Sequence, residues 1–257
     1  MNARAQWIAF RAIMVKEVLR FSRIWIQTIL PPMITTALYF VIFGNLIGSQ
    51  IGDVHGFQYM EYIVPGLILM AVITNSYSNV VASFYSAKFQ RNIEEMLVSP
   101  VPNALIMIGF VCGGVARGLA VGFAVTLVAL FFTPIPLHDI WVVTSVLLLT
   151  SILFSLGGLI NAIYATSFDH ISIIPTFVLT PLTYLGGVFY TVAMLPPFWQ
   201  KMSLANPILY MVNAFRYGLL GVSDVNLVTA YSAIMSFNIA FFWFALYLLN
   251  RGYGVRS

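Results

Sequence analysis

Charge is what this sequence has least of. Of its 257 residues only 8% are charged, whereas hydrophobic residues make up 60%. Soluble domains typically carry about 25% charged residues, so this chain could not cover a water-facing surface. Cysteine is nearly absent as well, and the single Cys112 excludes an intrachain disulfide and a cysteine-based metal cluster. The composition therefore predicts an integral membrane protein.

Lysine is also scarce, and Lys16, Lys88 and Lys201 are the three in the chain. A phosphate-binding Walker loop needs Gly-Lys-Ser/Thr, because the lysine and the backbone amides surround the phosphates. None of the three lysines follows a glycine or precedes a serine or threonine. The glycine-rich stretch GGVARG at 113–118 lacks that lysine and is interpreted as a site of close helix packing. We therefore expect no ATP or other cofactor in this chain.

A metal site is not expected either, because the three histidines, His55, His138 and His170, lie near different connections. No arrangement of serine, histidine and acid stands out, so no catalytic residues are expected.

Six apolar runs are long enough to cross a bilayer, whose hydrocarbon core of about 30 Å needs about 20 helical residues. The predicted spans are residues 24–47, 62–85, 105–132, 140–165, 171–192 and 226–249. No linker separates them, so residues 24–257 are interpreted as one transmembrane domain that follows an N-terminal segment, residues 1–23. The predicted fold is an all-α integral membrane protein with six transmembrane helices.

The distribution of lysine and arginine predicts the orientation, because cytoplasmic loops carry an excess of them. With six spans both termini lie on one side, which receives nine of the twelve basic residues: Arg4, Arg11, Lys16, Arg20, Arg23, Lys88, Arg91, Arg251 and Arg256. The opposite side receives Lys201 and Arg216, and Arg117 falls inside the third span. Both termini are therefore predicted to be cytoplasmic. The net charge of +4 then reflects topology, and no nucleic-acid partner is expected.

The N-terminal segment is predicted to form an amphipathic helix at the cytoplasmic face. Helical spacing gives one apolar stripe and places three basic residues roughly opposite it. The stripe consists of Trp7, Phe10, Met14, Val18 and Phe21, and the basic residues are Lys16, Arg20 and Arg23. This pattern is typical of a helix that lies in the membrane interface. A basic anchor that only sets the topology remains the alternative.

Charges gather at a second place, in the loop between the second and third predicted spans. A helix is predicted over about residues 87–98, the coupling segment, and Pro100 and Pro102 follow it and stop it. Lys88, Arg91 and Glu95 recur at spacings of three and four, which would place them on one helix face. A loop that only reverses the chain needs neither these mixed charges nor the apolar positions beside them. We expect a soluble partner to dock here.

Glu94 completes the charged set of the coupling segment and is the expected docking residue, because Glu95 has Arg91 and Lys88 as neighbours within the predicted helix. Asp169 and His170 lie in the other cytoplasmic turn, between the fourth and fifth predicted spans. They form either a second contact with the partner or a plain polar turn.

Four of the polar residues inside the predicted spans are candidates for function, because ionisable and polar groups in a membrane are often functional. They are Asn75, Ser76 and Asn79 in the second span and Arg117 in the third. Hydrogen bonding between helices is the competing interpretation. For Arg117 we favour a structural clamp to the asparagines over contact with a substrate.

The segment 193–222, before the last span, is too polar and too broken to cross the membrane and too apolar for an exposed loop. Pro196 and Pro197 interrupt it, and an apolar stripe follows at helical spacing. Short re-entrant helices on the external side are predicted, because irregular backbone is tolerated at membrane depth where it does not face lipid.

Four stretches of this chain resemble the ABC-2 type permeases, the membrane subunits of ATP-driven exporters. They are RNIEEMLVSPVP at 91–102, LTPLTYLGGVFY at 179–190, LPPFW at 195–199 and NPILYMVNAFRYGLLG at 206–221. They follow an N-terminal amphipathic helix and occur in the order of that family. The resemblance implies a bacterial inner-membrane homodimer that contacts lipid and binds two cytoplasmic ATPase subunits. ATP and Mg²⁺ would then be held by the ATPase subunits.

The same resemblance implies a translocation pathway for an amphipathic substrate, such as a drug, a lipid or a lipid-linked glycan. It places the dimer interface at the first and fifth spans and adds Tyr184 to the pathway candidates. Phe198, Trp199, Asn206 and Arg216 belong to the region that caps the outer end, although the aromatic residues would also suit an interfacial belt.

An ion-gradient-driven secondary transporter is the alternative to an ATP-driven exporter. It would usually carry acidic groups at the bilayer midplane. The eight acidic residues of this chain fall instead in predicted loops, at span edges or in the N-terminal segment.

Overall fold

The computed structural model describes residues 2–254, and most of these residues are helical. With 81% of the chain helical, the all-α class is confirmed. Arg256, which the sequence analysis assigned to a cytoplasmic C-terminus, lies outside the described residues.

Twelve α-helices and one small hairpin make up the part of the chain that the structure describes. The helices are α1 (Ala3–Arg23), α2 (Trp25–Tyr39), α3 (Gly48–Ile51), α4 (Tyr59–Phe89), α5 (Asn92–Val98), α6 (Asn103–Leu130), α7 (Ile140–Tyr164), α8 (His170–Ile174), α9 (Thr180–Tyr184), α10 (Pro197–Leu204), α11 (Pro207–Leu220) and α12 (Leu227–Arg251). A π-helical segment, Phe40–Ile47, continues α2, and a second one, Pro175–Leu179, joins α8 to α9.

Five of these helices are long and apolar enough to cross a membrane: α2 with its continuation (Trp25–Gly44), α4, α6, α7 and α12. They correspond to five of the six predicted spans. Helix α4 lies at the centre, because 72% of its most apolar stretch is buried against other helices, compared with 17% for α2. The chain is therefore a multi-pass helical bundle built around α4, with α2 at its periphery.

The predicted fifth span, 171–192, is shorter in the structure. Its helical part consists of three consecutive five-residue segments, α8, Pro175–Leu179 and α9, and it ends at Tyr184. The chain then turns at Gly186 and Gly187. Gly187 has φ +71°, and a Cβ on Gly186 would lie 2.7 Å from the Ile208 side chain. A helix could not continue to residue 192, because this turn packs directly against α11.

Helix α6 packs through glycines on two of its faces. A Cβ on Gly109 would lie 2.6 Å from Ile13, and one on Gly113 would lie 2.5 Å from the Cβ of Glu17, so this face takes α1. On the other face a Cβ on Gly114 would lie 3.0 Å from the carbonyl oxygen of Ser76 in α4. Small residues let helix backbones approach closely in membranes, and the predicted packing role of GGVARG is confirmed.

A two-residue hairpin closes the connection between α3 and α4. Strands β1 (Asp53–Val54) and β2 (Phe57–Gln58) pair antiparallel around His55 and Gly56, which have φ 54° and 81°. Positive φ at both turn residues is typical of the tight turn that matches the strand twist. The Nε2 atom of His55 lies 3.2 Å from Oδ1 of Asp224, and this contact ties the hairpin to the segment before α12.

Candidate transport and coupling site

A buried carboxylate joins α1 to the spans. The side chain of Glu17 is fully buried, and its Oε1 atom accepts a hydrogen bond of 2.7 Å from Oγ of Ser83 in α4. Its Oε2 atom accepts from Nη2 of Arg20 at 3.2 Å. Glu17, in the N-terminal segment, was not among the residues predicted from the sequence to be functional. The signal that was available is the Glu17–Arg20 spacing of three, which pairs the two side chains on one helix face.

Arg20 extends this cluster to the predicted pathway residue Asn79. Its Nη2 atom donates to Oδ1 of Asn79 at 2.7 Å and to the main-chain oxygen of Asn79 at 3.1 Å. Arg20, which was predicted to lie roughly opposite the apolar stripe of α1, therefore contacts the bundle. Trp7, at the start of the predicted apolar stripe, is 60% exposed, whereas Phe21 at its end is buried. Helix α1 is thus attached to the bundle by its second half.

Arg117 and Asn75 meet in the interior of the bundle. The Nη2 atom of Arg117 donates to Oδ1 of Asn75 at 3.1 Å, and Nδ2 of Asn75 donates to the Ala71 carbonyl at 3.0 Å. The Nε atom of Arg117 is buried without a hydrogen-bond partner among residues 2–254. Ser76 faces Gly118 of α6 instead of Arg117. The four polar candidates therefore divide: Asn75 and Arg117 come together, while Ser76 and Asn79 lie in helix contacts.

A cavity of about 350 Å³ opens beside Arg117, between α2, α4 and α6. Its walls combine polar side chains, mainly threonines, with proline, leucine and methionine. They are Gln27, Thr28, Pro31, Pro32, Thr35, Thr36, Tyr39, Leu67, Met70, Ala71, Thr74, Asn75 and Arg117. Tyr184, the pathway candidate of α9, reaches this wall through its hydroxyl, which lies 3.1 Å from the hydroxyl of Tyr39.

The coupling segment is not one continuous helix. Helix α4 runs to Phe89, and α5 begins only at Asn92, after Arg91 with φ 61° and ψ 4°. A non-glycine residue in the left-handed region breaks helical register. The prediction that Lys88, Arg91 and Glu95 share a helix face is therefore wrong: Lys88 lies in the last turn of α4, and Arg91 caps α5.

Lys88 is engaged inside the protein. Its Nζ atom donates to the carbonyl oxygens of Ile163 and Ala165, both at 2.7 Å. These carbonyls lie at the C-terminal end of α7, where helix carbonyls lack partners and a cation is favourable. This lysine therefore holds α4 and α7 together.

The two carboxylates of the coupling segment lie in the first turn of α5. Glu95 is exposed and Glu94 is half-buried, while Ile93 beneath them is fully buried in the core. Neither glutamate forms an ion pair within residues 2–254. Carboxylates in the first turn are favourable for the helix itself, and both remain available to a partner.

The turn between α7 and α8 contacts the coupling segment through aromatic rings. Phe168 packs edge-on against Phe89 at 5.2 Å and against Tyr85 at 4.9 Å between ring centroids. Asp169 and His170 follow directly and are exposed, and Nδ1 of His170 lies 2.8 Å from Oγ1 of Thr166. The two loops that were predicted separately thus form one continuous surface.

Two of the four residues predicted for the outer cap lie in the interior. Arg216 is 1% exposed, donates from Nη2 to the Gly187 carbonyl at 2.6 Å, and stacks over the ring of Tyr62 at 3.9 Å. Burial lowers the pKa of Arg216, although Tyr62 and Asp224 act to raise it. The residue clamps the turn after α9 onto α4 through a hydrogen bond and a cation–π contact.

Asn206 is likewise buried and caps α11. Its Oδ1 atom accepts from the Ile208 amide at 3.0 Å, and its Nδ2 atom donates to the Leu182 carbonyl at 2.6 Å. Such a side-chain acceptor is typical of a helix N-cap. Phe198 and Trp199 are exposed and touch each other edge-on at 5.3 Å. Of the four predicted cap residues, this aromatic pair alone presents an outer surface.

The chain matches known membrane proteins along most of its length. A family model described as ABC-2 type transporter matches residues 8–220. The chain is 59% identical to inner membrane transport permease YadH of Escherichia coli (strain K12) over 251 residues, which are 98% of each chain. It is 25% identical to nodulation protein J of Sinorhizobium fredii (strain NBRC 101917 / NGR234), over 84% of this chain and 82% of that one. The matched residues include α1, the coupling segment, the cavity and α11.

Proposed function

Because this chain belongs to the ABC-2 type transporter family, we propose that it is the membrane-spanning permease subunit of an ATP-binding cassette exporter. The family match supports a role in transport, and the structure contains several helices long and apolar enough to cross a membrane. The finer proposal is that the chain forms the pathway for an amphipathic substrate, such as a drug, a lipid or a lipid-linked glycan. The 59% identity with an inner membrane transport permease supports the permease role most strongly.

ATP hydrolysis would take place on a separate subunit. Permeases of this family generally work with an ATPase subunit, and the three lysines of this sequence lie outside any Walker pattern. Two ATPase copies, each holding ATP and Mg²⁺, would bind at the cytoplasmic face of a permease dimer. This chain would then transmit movement and perform no chemistry of its own.

The docking surface would combine α5 with the neighbouring turn. Glu94 and Glu95 supply charge in the first turn of α5, and Asp169 and His170 supply a second charged edge. Phe89, which is 66% exposed and packed against Phe168, would provide an apolar anchor between them. Aromatic anchors with charged rims are typical of protein interfaces. Lys88 leaves the proposed set, because α7 already uses its three-donor ammonium group.

The homodimer would form at the periphery of the bundle. Helix α2 buries little of its surface within the chain. The segment 170–184, which we propose as the shortened fifth span, also turns apolar side chains outward, with Phe177 73% exposed. Both surfaces face either lipid or a second copy. Both termini would be cytoplasmic in the bacterial inner membrane, and α10 and α11 would dip back from the external side.

One observation favours an ion-gradient-driven transporter as a second candidate. Glu17 is a buried acidic residue between α1, α4 and α6, and buried carboxylates serve as ion-coupling sites in such transporters. Arg20 and Ser83 already satisfy this carboxylate, which makes it a structural group in the exporter proposal.

Reconstitution of the complex tests the proposal against this alternative. The purified permease should show no ATP hydrolysis, and ATP-dependent export should appear only when the ATPase subunit is present. An ionophore that collapses the proton gradient should leave export unchanged. ATP turnover by the permease alone, or transport driven by the gradient without ATP, would contradict the exporter proposal.

A further inference from the structure

We propose that the cavity beside Arg117 binds the anionic group of an amphiphilic substrate; this inference rests on the proposed transport function and names its substrate class. The cavity lies between α2, α4 and α6 and has a volume of about 350 Å³. That volume falls within the range of about 300–1,000 Å³ that is common for small-molecule sites.

The charge of the walls points to an anion. Arg117 is the one charged side chain among the thirteen residues that line the cavity. A cation inside a membrane domain is costly unless an opposite charge or several acceptors meet it. Arg20 is not among the lining residues, and the carboxylate of Glu17 already balances its charge. A ligand with a phosphate, sulfate or carboxylate group would supply the charge that the walls lack.

The hydrogen bonds of Arg117 are incomplete. A guanidinium carries five N–H donors. The structure uses one of them on Oδ1 of Asn75, and it leaves the buried Nε atom without a partner among the described residues. A clamp between α4 and α6 needs only the Asn75 bond. The remaining donors suit an anion with several acceptor oxygens, which forms short and strong charge-assisted hydrogen bonds.

Along α4, the polar lining residues of the cavity lie next to Arg117 and the apolar ones lie further along the helix. Thr74 and Asn75 belong to the same turn of α4 as the Arg117 contact, whereas Met70 and Leu67 follow one and two turns away. On α2 the prolines Pro31 and Pro32 lie between two polar pairs, Gln27 with Thr28 and Thr35 with Thr36. A headgroup at Arg117 would therefore have its tail along Met70 and Leu67.

The depth of Arg117 favours a transported molecule over a resident phospholipid. Arg117 is the fifteenth residue of the 28-residue helix α6, and it lies about 21 Å along that helix at ~1.5 Å per residue. This is the middle of the helix, whereas headgroups of bilayer lipids lie at the two surfaces. An anion bound there would lie away from both ends of α6.

Binding of dodecyl phosphate to the purified full-length permease, in nanodiscs of phosphatidylcholine, tests the inference. Dodecyl maltoside and dodecyltrimethylammonium have the same tail with a neutral and a cationic head. We expect dodecyl phosphate to bind at least about tenfold more tightly than either, because a charge-assisted hydrogen bond adds that much affinity. Equal binding of the three amphiphiles to the wild-type protein would overturn the inference without any variant.

Variants of Arg117, compared with a variant outside the cavity, test whether dodecyl phosphate binds at this site. Arg117→Gln should remove the preference for dodecyl phosphate, and Arg117→Lys should retain most of it. Lys201→Gln removes one positive charge from α10, outside the cavity, and should change nothing. A preference that persists in Arg117→Gln would overturn the inference. Phosphatidylglycerol that displaces dodecyl phosphate with equal affinity would assign the site to bilayer lipid and overturn the substrate assignment.

The two proposals fail separately. The binding measurement needs no ATPase subunit, so a permease that lacks anion preference but exports with its ATPase would refute the anion site alone. A permease that binds dodecyl phosphate through Arg117 but never pairs with an ATPase would refute the exporter proposal and leave the site intact.

Discussion

The guanidinium of Arg20 donates to both the side-chain and the main-chain oxygen of Asn79, at 2.7 and 3.1 Å, although the two residues are 59 positions apart. Arg20 also pairs with Glu17, which is fully buried. The Arg20 guanidinium therefore attaches the N-terminal helix to the central span. Any movement of α4 would be passed on to α1.

The Arg20–Glu17 pair should be needed for stability. Arg20→Gln leaves the Glu17 carboxylate buried without its cation, and removing one partner of a buried pair typically costs about 3–5 kcal/mol. Because Arg20 is partly exposed, with 30% of its side chain accessible, we expect the lower end of that range or less. Thermal unfolding in detergent measures the loss.

Two further variants make that measurement specific. Arg23→Gln, an exposed arginine one turn away, should leave the unfolding temperature unchanged. The double variant with Glu17→Gln and Arg20→Gln should recover part of the loss, because no unpaired charge remains. A double variant that is less stable than Arg20→Gln would contradict this assignment.

Glu94 and Glu95 should be needed for coupling and dispensable for folding. If they meet donors of the ATPase in a partly desolvated interface, truncation costs roughly 2–5 kcal/mol of binding. If the two glutamates are only exposed surface charges, their truncation costs about 0–1 kcal/mol of binding. We expect Glu94→Ala with Glu95→Ala to leave insertion and dimerisation intact, to weaken co-purification of the ATPase and to abolish transport.

The control for this pair removes two carboxylates near the start of α4, one in β1 and one in the first turn of α4. Asp53→Ala with Glu61→Ala should keep the ATPase bound. Lys88→Ala should behave differently from both, lowering the unfolding temperature because the carbonyl end of α7 loses its cap. Normal assembly and export in the Glu94 and Glu95 double variant would show that the coupling segment only connects two helices and does not bind the ATPase.

The close approach of α1 to α6 should depend on the lack of a side chain at Gly113. A Cβ there would lie 2.5 Å from the Cβ of Glu17, so Gly113→Val should push α1 away and separate Glu17 from Ser83. Overpacking of this kind typically costs about 1–3 kcal/mol. Thermal unfolding checks it, with Phe123→Val at an exposed position of the same helix as the control. Equal stability of the two variants would argue against the glycine contact.

The orientation can be tested by cysteine labelling in a Cys112→Ala background. Nine basic residues on one side and two on the other predict that Gly52→Cys and Lys201→Cys react from outside. Ser257→Cys, beyond the described residues, should react only from inside. An external reaction of Ser257→Cys would overturn the predicted arrangement of spans.

Much of the architecture follows from the sequence by itself. Long apolar runs gave five helices of the right length, GGVARG gave a glycine-packed contact, and the prolines after residue 98 ended α5. The ordered motifs also gave the correct family. These properties are local, because the length of an apolar run and the geometry of glycine and proline depend on few neighbouring residues.

The roles of individual charged residues were decided by the tertiary structure. Lys88 was expected to bind a partner, yet it caps α7 through carbonyls 75 and 77 positions away. Arg216 was expected in an outer cap, yet it lies buried on Tyr62 and the Gly187 carbonyl. A charged side chain in a lipid-facing bundle must find acceptors wherever the fold brings them. When the partner lies on another helix, it is set by how the helices pack, and the spacing of residues in the sequence does not reveal it.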